Sequence, residues 1–161
     1  MKDDLVLLVV GSGGREFAVA KKLKESPHVK TVYCAPGNVG MQTIGVETVP
    51  IEETDLDGLL EFAKNKKVDW TFVGPENVLC AGITDKFNEA GQKIFGPNQR
   101  AAQLEGSKDY ALRFMSKYNI PTARYETYAS AETCIAGLKN FDYPVVIKED
   151  GLAGGKGVTI A

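Results

Sequence analysis

The chain has 161 residues, 43% of them hydrophobic and 25% charged. That balance buries a core and excludes a disordered chain, and the length suits one domain, or one domain and the start of another. The formal net charge of -2 gives no general attraction to nucleic acid or to an anionic membrane. No apolar run approaches the roughly 20 residues that span a bilayer, and the acidic start Met1-Lys2-Asp3-Asp4 does not read as a signal peptide. Cys34, Cys80 and Cys134 lie far apart with no metal-ligand spacing, and their odd number argues against a disulfide framework, so a reducing cytoplasm is expected. His28 is the single histidine, which excludes a histidine-based triad or a multi-histidine metal site in this chain.

Residues 5–10 form a continuous apolar run, the pattern of a strand covered on both faces. The turn Gly11-Ser12-Gly13-Gly14 follows, and residues 15–24 are predicted helical with Phe17, Ala20 and Leu23 inward. Residues 31–35 are the next strand. Leu56, Leu59, Leu60 and Ala63 recur at i, i+3, i+4 and i+7, which predicts an amphipathic helix over 55–66 with Asp55 capping its start. Residues 69–73 read as a strand ending in Gly74-Pro75-Glu76. Leu79, Ile83, Phe87 and Ala90 mark one helix closed by Gly91, and residues 93–95 a short strand. This alternation predicts an α/β fold, an open parallel sheet with helices on both faces. The glycine turns at 11–14, 37–40 and 74–76 would share the carboxyl edge, where such sheets bind ligands.

Beyond about residue 100 the pattern changes. Ala111, Phe114, Met115 and Tyr118 predict a helix with Ser107 near its start; residues 125–128 look like a strand; Ala131, Cys134, Ile135 and Leu138 mark another helix. A buried strand at 145–148 leads into the glycine loop 151–157, and residues 158–160 read as a further strand.

The first glycine turn lacks the third glycine of a dinucleotide fingerprint, since position 16 is Glu, and no acid stands at the end of the second strand, which runs into Cys34-Ala35-Pro36-Gly37. What survives is the phosphate affinity of backbone N–H groups at a helix start, with Arg15 able to add a charge-assisted bond. A turn that merely connects strand to helix is the plainer alternative. The second loop, Lys148-Glu149-Asp150-Gly151-Leu152-Ala153-Gly154-Gly155-Lys156-Gly157, is not a P-loop, because Gly157 follows Lys156 and a strand follows the loop. Four glycines between two strands describe a mobile flap that folds over a triphosphate, with Lys156 and the loop amides on anionic oxygens. Lys148 at the end of a buried strand calls for an anionic partner. Lys108, at a helix start where a cation opposes the dipole, points to a nearby anion, though a solvated lysine explains it equally well.

Val10-Gly11-Ser12-Gly13-Gly14-Arg15-Glu16, Pro36-Gly37-Asn38, Gly74-Pro75-Glu76, Phe95-Gly96-Pro97, Leu104-Glu105-Gly106-Ser107-Lys108, Ile120-Pro121-Thr122-Ala123 and Asp150–Val158 stand in this order. Together they resemble the phosphoribosylamine–glycine ligase family of ATP-grasp enzymes, over essentially the whole chain. The resemblance implies a Rossmann-like substrate-binding domain over 1–100 and the beginning of an ATP-grasp domain over 101–161. It implies that ATP phosphorylates the glycine carboxylate and that phosphoribosylamine attacks the acyl phosphate. Carried onto matching positions, Gly13, Gly14, Arg15, Asn38 and Glu76 would bind phosphoribosylamine. Lys108, Lys148, Gly151, Gly154, Gly155, Lys156 and Gly157 would bind ATP. No covalent nucleophile is implied. Ligands for magnesium or manganese, and most of the adenine and glycine pocket, would lie beyond residue 161, so this stretch alone should not turn over. A monomer acting on small molecules is expected. Phe17 stands where the family usually has His, Asn77-Val78 where it has Ala/Val-Pro, and Glu149 and Gly154 where Ala is common.

Three rival readings remain open: an ATP-grasp ligase for another carboxylate or amine, an NAD-dependent dehydrogenase, and a non-catalytic nucleotide-binding module.

Overall fold

The computed structural model describes residues 3–161. The chain divides into two compact units, the first ending at Ala102 and the second beginning at Gln103.

In the first unit, β1 (Leu5–Gly11), β2 (Val29–Pro36), β3 (Glu47–Thr48), β4 (Trp70–Val73) and β5 (Ile94–Phe95) form one parallel sheet in the order β3-β2-β1-β4-β5. The helices between them are α1 (Gly14–Lys24), α2 (Val39–Gln42), α3 (Leu56–Asn65), α4 (Glu76–Cys80) and α5 (Ile83–Glu89). The unbroken apolar run of β1 has the cause the sequence suggested. Leu8 and Val10 enter a cluster with Leu59 and Ala63 of α3 and Ile83 and Phe87 of α5. Val9, between them, enters the opposite cluster with Ala20 of α1 and Met41 of α2. Alternate side chains of one strand thus serve two cores.

Local signals set the ends of these elements. Asp55 caps α3 by accepting from Gly58 N–H at 2.9 Å. The single helix expected across Leu79–Ala90 is instead two, because Gly82 takes φ +91° and breaks the ladder between α4 and α5. The apolar spacing continues across the break, which is why periodicity alone reads it as one helix. α2 and the two-residue β3 carry too little pattern to be predicted.

The helix α6 (Gln99–Gly106), unmarked in the sequence reading, leads into the second unit. There α7 (Lys108–Lys117) starts at the cap Ser107, whose Oγ accepts from Tyr110 N–H at 3.1 Å. α8 (Ala131–Gly137) continues as one 3-10 turn through Asn140. β6 (Val146–Lys148) and β7 (Val158–Ile160) form an antiparallel hairpin. Two expectations fail here. Residues 125–128 are not a strand: no described segment pairs with them, and Glu126 instead accepts from the side chains of Tyr128, Asn140 and Arg124. β6 is not buried, since its residues and those of β7 are all exposed. A lone two-stranded hairpin has two open faces, so an apolar run need not mean burial.

Phe87 is fully buried beneath the sheet. Phe87→Ala should lower the stability of the chain by about 3–5 kcal/mol, read as a reduced denaturation midpoint in urea.

Candidate functional site

The parallel sheet brings three strand ends together. Gly37 N–H donates to Gly11 C=O at 3.1 Å and Gly74 N–H to Val10 C=O at 3.2 Å, so the turns after β2 and β4 are tied to the turn after β1. Gly13 and Gly14 are exposed at the start of α1, whose first amides have no partner within the helix and are available to an anion. Asn38 spans two turns: its Nδ2 donates to Ser12 C=O at 2.7 Å, while its Oδ1 caps α2 by accepting from Met41 N–H at 3.2 Å. Arg15 Nη2 reaches Glu76 Oε2 at 3.2 Å, at the start of α4. The structure therefore brings Gly13, Gly14, Arg15, Asn38 and Glu76 to one edge.

Beneath them lies a residue that the glycine motifs alone do not mark. Glu16 is 3% exposed, a buried carboxylate whose Oε2 accepts from Gly13 N–H at 2.8 Å and whose Oε1 accepts from Arg15 Nε at 2.6 Å. Burying an ion is costly unless it is hydrogen-bonded and paired, and Glu16 is both. The signal was present. Glu16, Ala20 and Leu23 stand at i, i+4 and i+7, so helical geometry puts Glu16 on the inward face. Arg15, bonded to two carboxylates, is held above its ordinary range, first by Glu16 and then by Glu76. It keeps three of its five N–H groups for a ligand. Glu76 lies below the usual carboxylate range, chiefly because it bonds its own backbone N–H at the helix start and also because Arg15 faces it, with partial burial opposing.

Phe17 packs in the cluster with Val9, Val32 and Met41, so packing fills the place of the family's usual His. Asn77, another departure, donates to Glu53 Oε1 at 3.2 Å.

In the second unit, Lys108 and the glycine loop are joined through a residue that went unmarked. Asp150 Oδ1 accepts from Lys108 N–H at 2.6 Å, Gly151 N–H at 2.9 Å and Asp109 N–H at 3.2 Å, and Ser107 Oγ donates to Oδ2 at 3.1 Å. Asp150 thus serves the backbone amides of this helix start and leaves the Lys108 ammonium without a carboxylate partner among the described residues. Burial pushes the Asp150 carboxyl up, but the amides of Asp109, Gly151 and Lys108 and the Ser107 hydroxyl outweigh it and leave the group below its ordinary value. Lys108 Nζ donates to Gly151 C=O at 2.7 Å and retains two further N–H groups. Across the hairpin base, Glu149 N–H donates to Gly157 C=O at 2.7 Å. Gly151, Gly154 and Gly155 have φ of +96°, +56° and +77°. The side chains of Lys148 and Lys156 are exposed and make no hydrogen bond or ion pair among the described residues. The partner expected for Lys148 is therefore not another side chain of this stretch.

A parallel sheet with glycine turns on its carboxyl edge, followed by a glycine hairpin carrying lysines, is the amino-terminal architecture of ATP-grasp enzymes. The biotin carboxylase domain of Hydrogenobacter thermophilus 2-oxoglutarate carboxylase shares this fold, with a TM-score of 0.76 at 14% identity over 99% of this chain and 38% of that one. The chain belongs to the phosphoribosylglycinamide synthetase family: residues 5–105 match its N domain and residues 106–161 its ATP-grasp (A) domain. A phosphoribosylamine–glycine ligase from Lactococcus lactis is 54% identical over 96% of this chain and 38% of its own length. The crystal structure of the Thermotoga maritima phosphoribosylamine–glycine ligase superposes with a TM-score of 0.72 at 34% identity, over 97% of this chain and 36% of that one. The chain thus spans well under half the length of these relatives.

Two expectations follow from the geometry. Asp150→Ala should speed hydrogen exchange at the amides of Lys108, Asp109 and Gly151 roughly five- to tenfold, as befits loss of a helix cap, with the first unit unchanged. Cys34 is fully buried with its Sγ donating to Gly11 C=O at 3.3 Å; burial, reinforced by Glu16, pushes its thiol up to about 12. An unfolded thiol ionises near pH ~8.5, so above that pH the unfolded state has lost a proton that the folded state keeps. Stability should fall by about 1.4 kcal/mol per pH unit from this group, and urea unfolding of Cys34→Ala between about pH 9 and about 11 should show a shallower decline.

Proposed function

We propose that the full-length protein ligates glycine to 5-phosphoribosylamine, consuming ATP and releasing glycinamide ribonucleotide, ADP and phosphate. The observation that carries this reading is the single edge on which Gly13, Gly14, Arg15, Asn38 and Glu76 converge, in a chain whose two segments match the two domains of one ligase family in succession.

A carboxylate is a poor electrophile until one oxygen becomes a leaving group. In the proposed reaction a glycine oxygen attacks the γ-phosphorus of ATP and ADP leaves, giving glycyl phosphate. The amine of phosphoribosylamine then attacks the carbonyl, phosphate departs, and the nitrogen loses its proton. Such phosphoryl transfer depends mainly on positioning and charge stabilisation.

The chain's own groups suit the binding half of this work. The 5-phosphate would lie against the Gly13-Gly14 turn and meet the helix-start amides from Gly14 onward, the Gly13 N–H being held by Glu16, together with the remaining N–H groups of Arg15. Glu76, an anion below its usual range, would repel that phosphate and accept instead from a sugar hydroxyl or the amine. Asn38 would hold the turn beside them. Lys108, Lys148, Lys156 and the loop glycines Gly151, Gly154, Gly155 and Gly157 would take the ATP phosphates. The positive φ of Gly151, Gly154 and Gly155 gives the loop side-chain-free turns that phosphates would approach closely. Residues 1–100 would form the substrate-binding domain and 101–161 the start of the nucleotide domain. Ligands for magnesium or manganese would come from outside residues 1–161. A cytoplasmic monomer fits the small-molecule substrates and the cysteine spacing.

The test is ADP release by the full-length protein, with phosphoribosylamine generated in place. Release should require both glycine and phosphoribosylamine. Release with a different carboxylate would move the protein to another ATP-grasp ligase, and none with any pairing would leave a binding module.

A further inference from the structure

Glu16 has no assigned part in substrate binding, yet it is the most enclosed charged group among the described residues of the first unit, at 3% exposure. Its surroundings are built around it. A Cβ on Gly74 would stand 1.9 Å from Glu16 Oε1, one on Gly11 2.7 Å from Glu16 Cγ, and one on Gly13 2.8 Å from Glu16 Oε2. All three glycines belong to turns at the site edge, and each leaves room for the same side chain. Gly74 has an ordinary backbone conformation, so the carboxylate rather than its torsions demands glycine there.

The two oxygens have separate tasks. Oε2 holds Gly13 N–H and so sets the turn that exposes the helix-start amides. Oε1 holds Arg15 Nε. With Nε pinned on the buried side and Nη2 on Glu76, the guanidinium plane is fixed at both ends, whereas the side chain is otherwise exposed and would lose rotamer freedom on binding. A free arginine pays that ordering cost on each binding event; this one is ordered in advance.

We infer that Glu16 is the positioning residue of the proposed phosphoribosylamine site, orienting Arg15 and the Gly13 turn without touching the substrate itself. The inference rests on the ligase reading, and it adds that recognition of a phosphorylated sugar at this edge depends on a buried charge one layer below. Glu16 acts through Arg15, so the two are energetically coupled.

The experiment is steady-state ligation by the full-length protein, comparing wild type with Glu16→Gln, Arg15→Ala and the double variant, each checked for folding by thermal melting. Glu16→Gln should raise KM for phosphoribosylamine about tenfold, the scale of a lost charged hydrogen bond, while KM for ATP and glycine stays within about twofold. In the Arg15→Ala background Glu16→Gln should have no further effect, because the amide oxygen still accepts from Gly13 N–H and the guanidinium that the second oxygen oriented is gone. Equal rises in all three KM values, or an undiminished effect without Arg15, would overturn the inference and leave Glu16 a purely structural residue. Gly74→Ala provides an independent route, since it displaces the carboxylate without removing it. It should reproduce the raised KM and fail to add to Glu16→Gln; additivity would again overturn the assignment. Wild-type protein that ligates nothing would instead defeat the ligase reading, before any variant is compared.

Discussion

β1 has to satisfy two hydrophobic cores at once. Leu8 and Val10 are fully buried on one face and Val9 on the other, each worth about 1.5–3 kcal/mol of burial. A strand so placed needs helices on both sides, and helices on both sides of a parallel sheet require every connection to leave from the same edge. The gathering of turns after β1, β2 and β4 follows from this demand. Backbone bonds from Gly37 and Gly74 to Gly11 and Val10 then set the turns at fixed spacing. The site is located by the burial of aliphatic side chains that never approach a ligand.

On that frame, two carboxylates organise the loops, in contrasting media. Glu16 is buried and bonds a turn amide and a guanidinium; a low local dielectric makes such bonds strong and their loss costly. Asp150 is exposed and gathers three backbone amides and a hydroxyl at the base of the glycine hairpin. Water competes for the second set far more than for the first. Under the proposed function, a substrate turn would benefit from permanence, and a hairpin admitting and releasing a nucleotide would benefit from a fastening that solvent can loosen.

Much of this was legible in the sequence, and for identifiable reasons. The run at residues 5–10, the i, i+3, i+4, i+7 spacing of Leu56, Leu59, Leu60 and Ala63, and the glycine turns after strands each reflect a local rule that the tertiary structure obeys. The misreadings have other causes. Gly82 broke a helix whose apolar spacing continued through it. Residues 125–128 had strand-like composition but no neighbour to pair with among the described residues. β6 had the apolar content of a buried strand but two open faces. Strand pairing and burial are decided by distant residues, which periodicity does not see. Glu16 was missed because a charged residue beside an arginine reads as surface, although its spacing from Ala20 and Leu23 marked it as inward. Asp150 was missed because nothing local to it predicts that it reaches the start of α7, 42 residues earlier in the chain.

The room that Gly74 leaves for Glu16 binds two positions 58 residues apart into one unit of inheritance. Neither can drift alone: a side chain at 74 evicts the carboxylate, and a smaller residue at 16 opens a polar void beside the glycine. Replacements across descendants of this chain would have to arrive in matched pairs, with any acquired side chain at 74 accompanied by a shortened one at 16 and a new tether for the arginine.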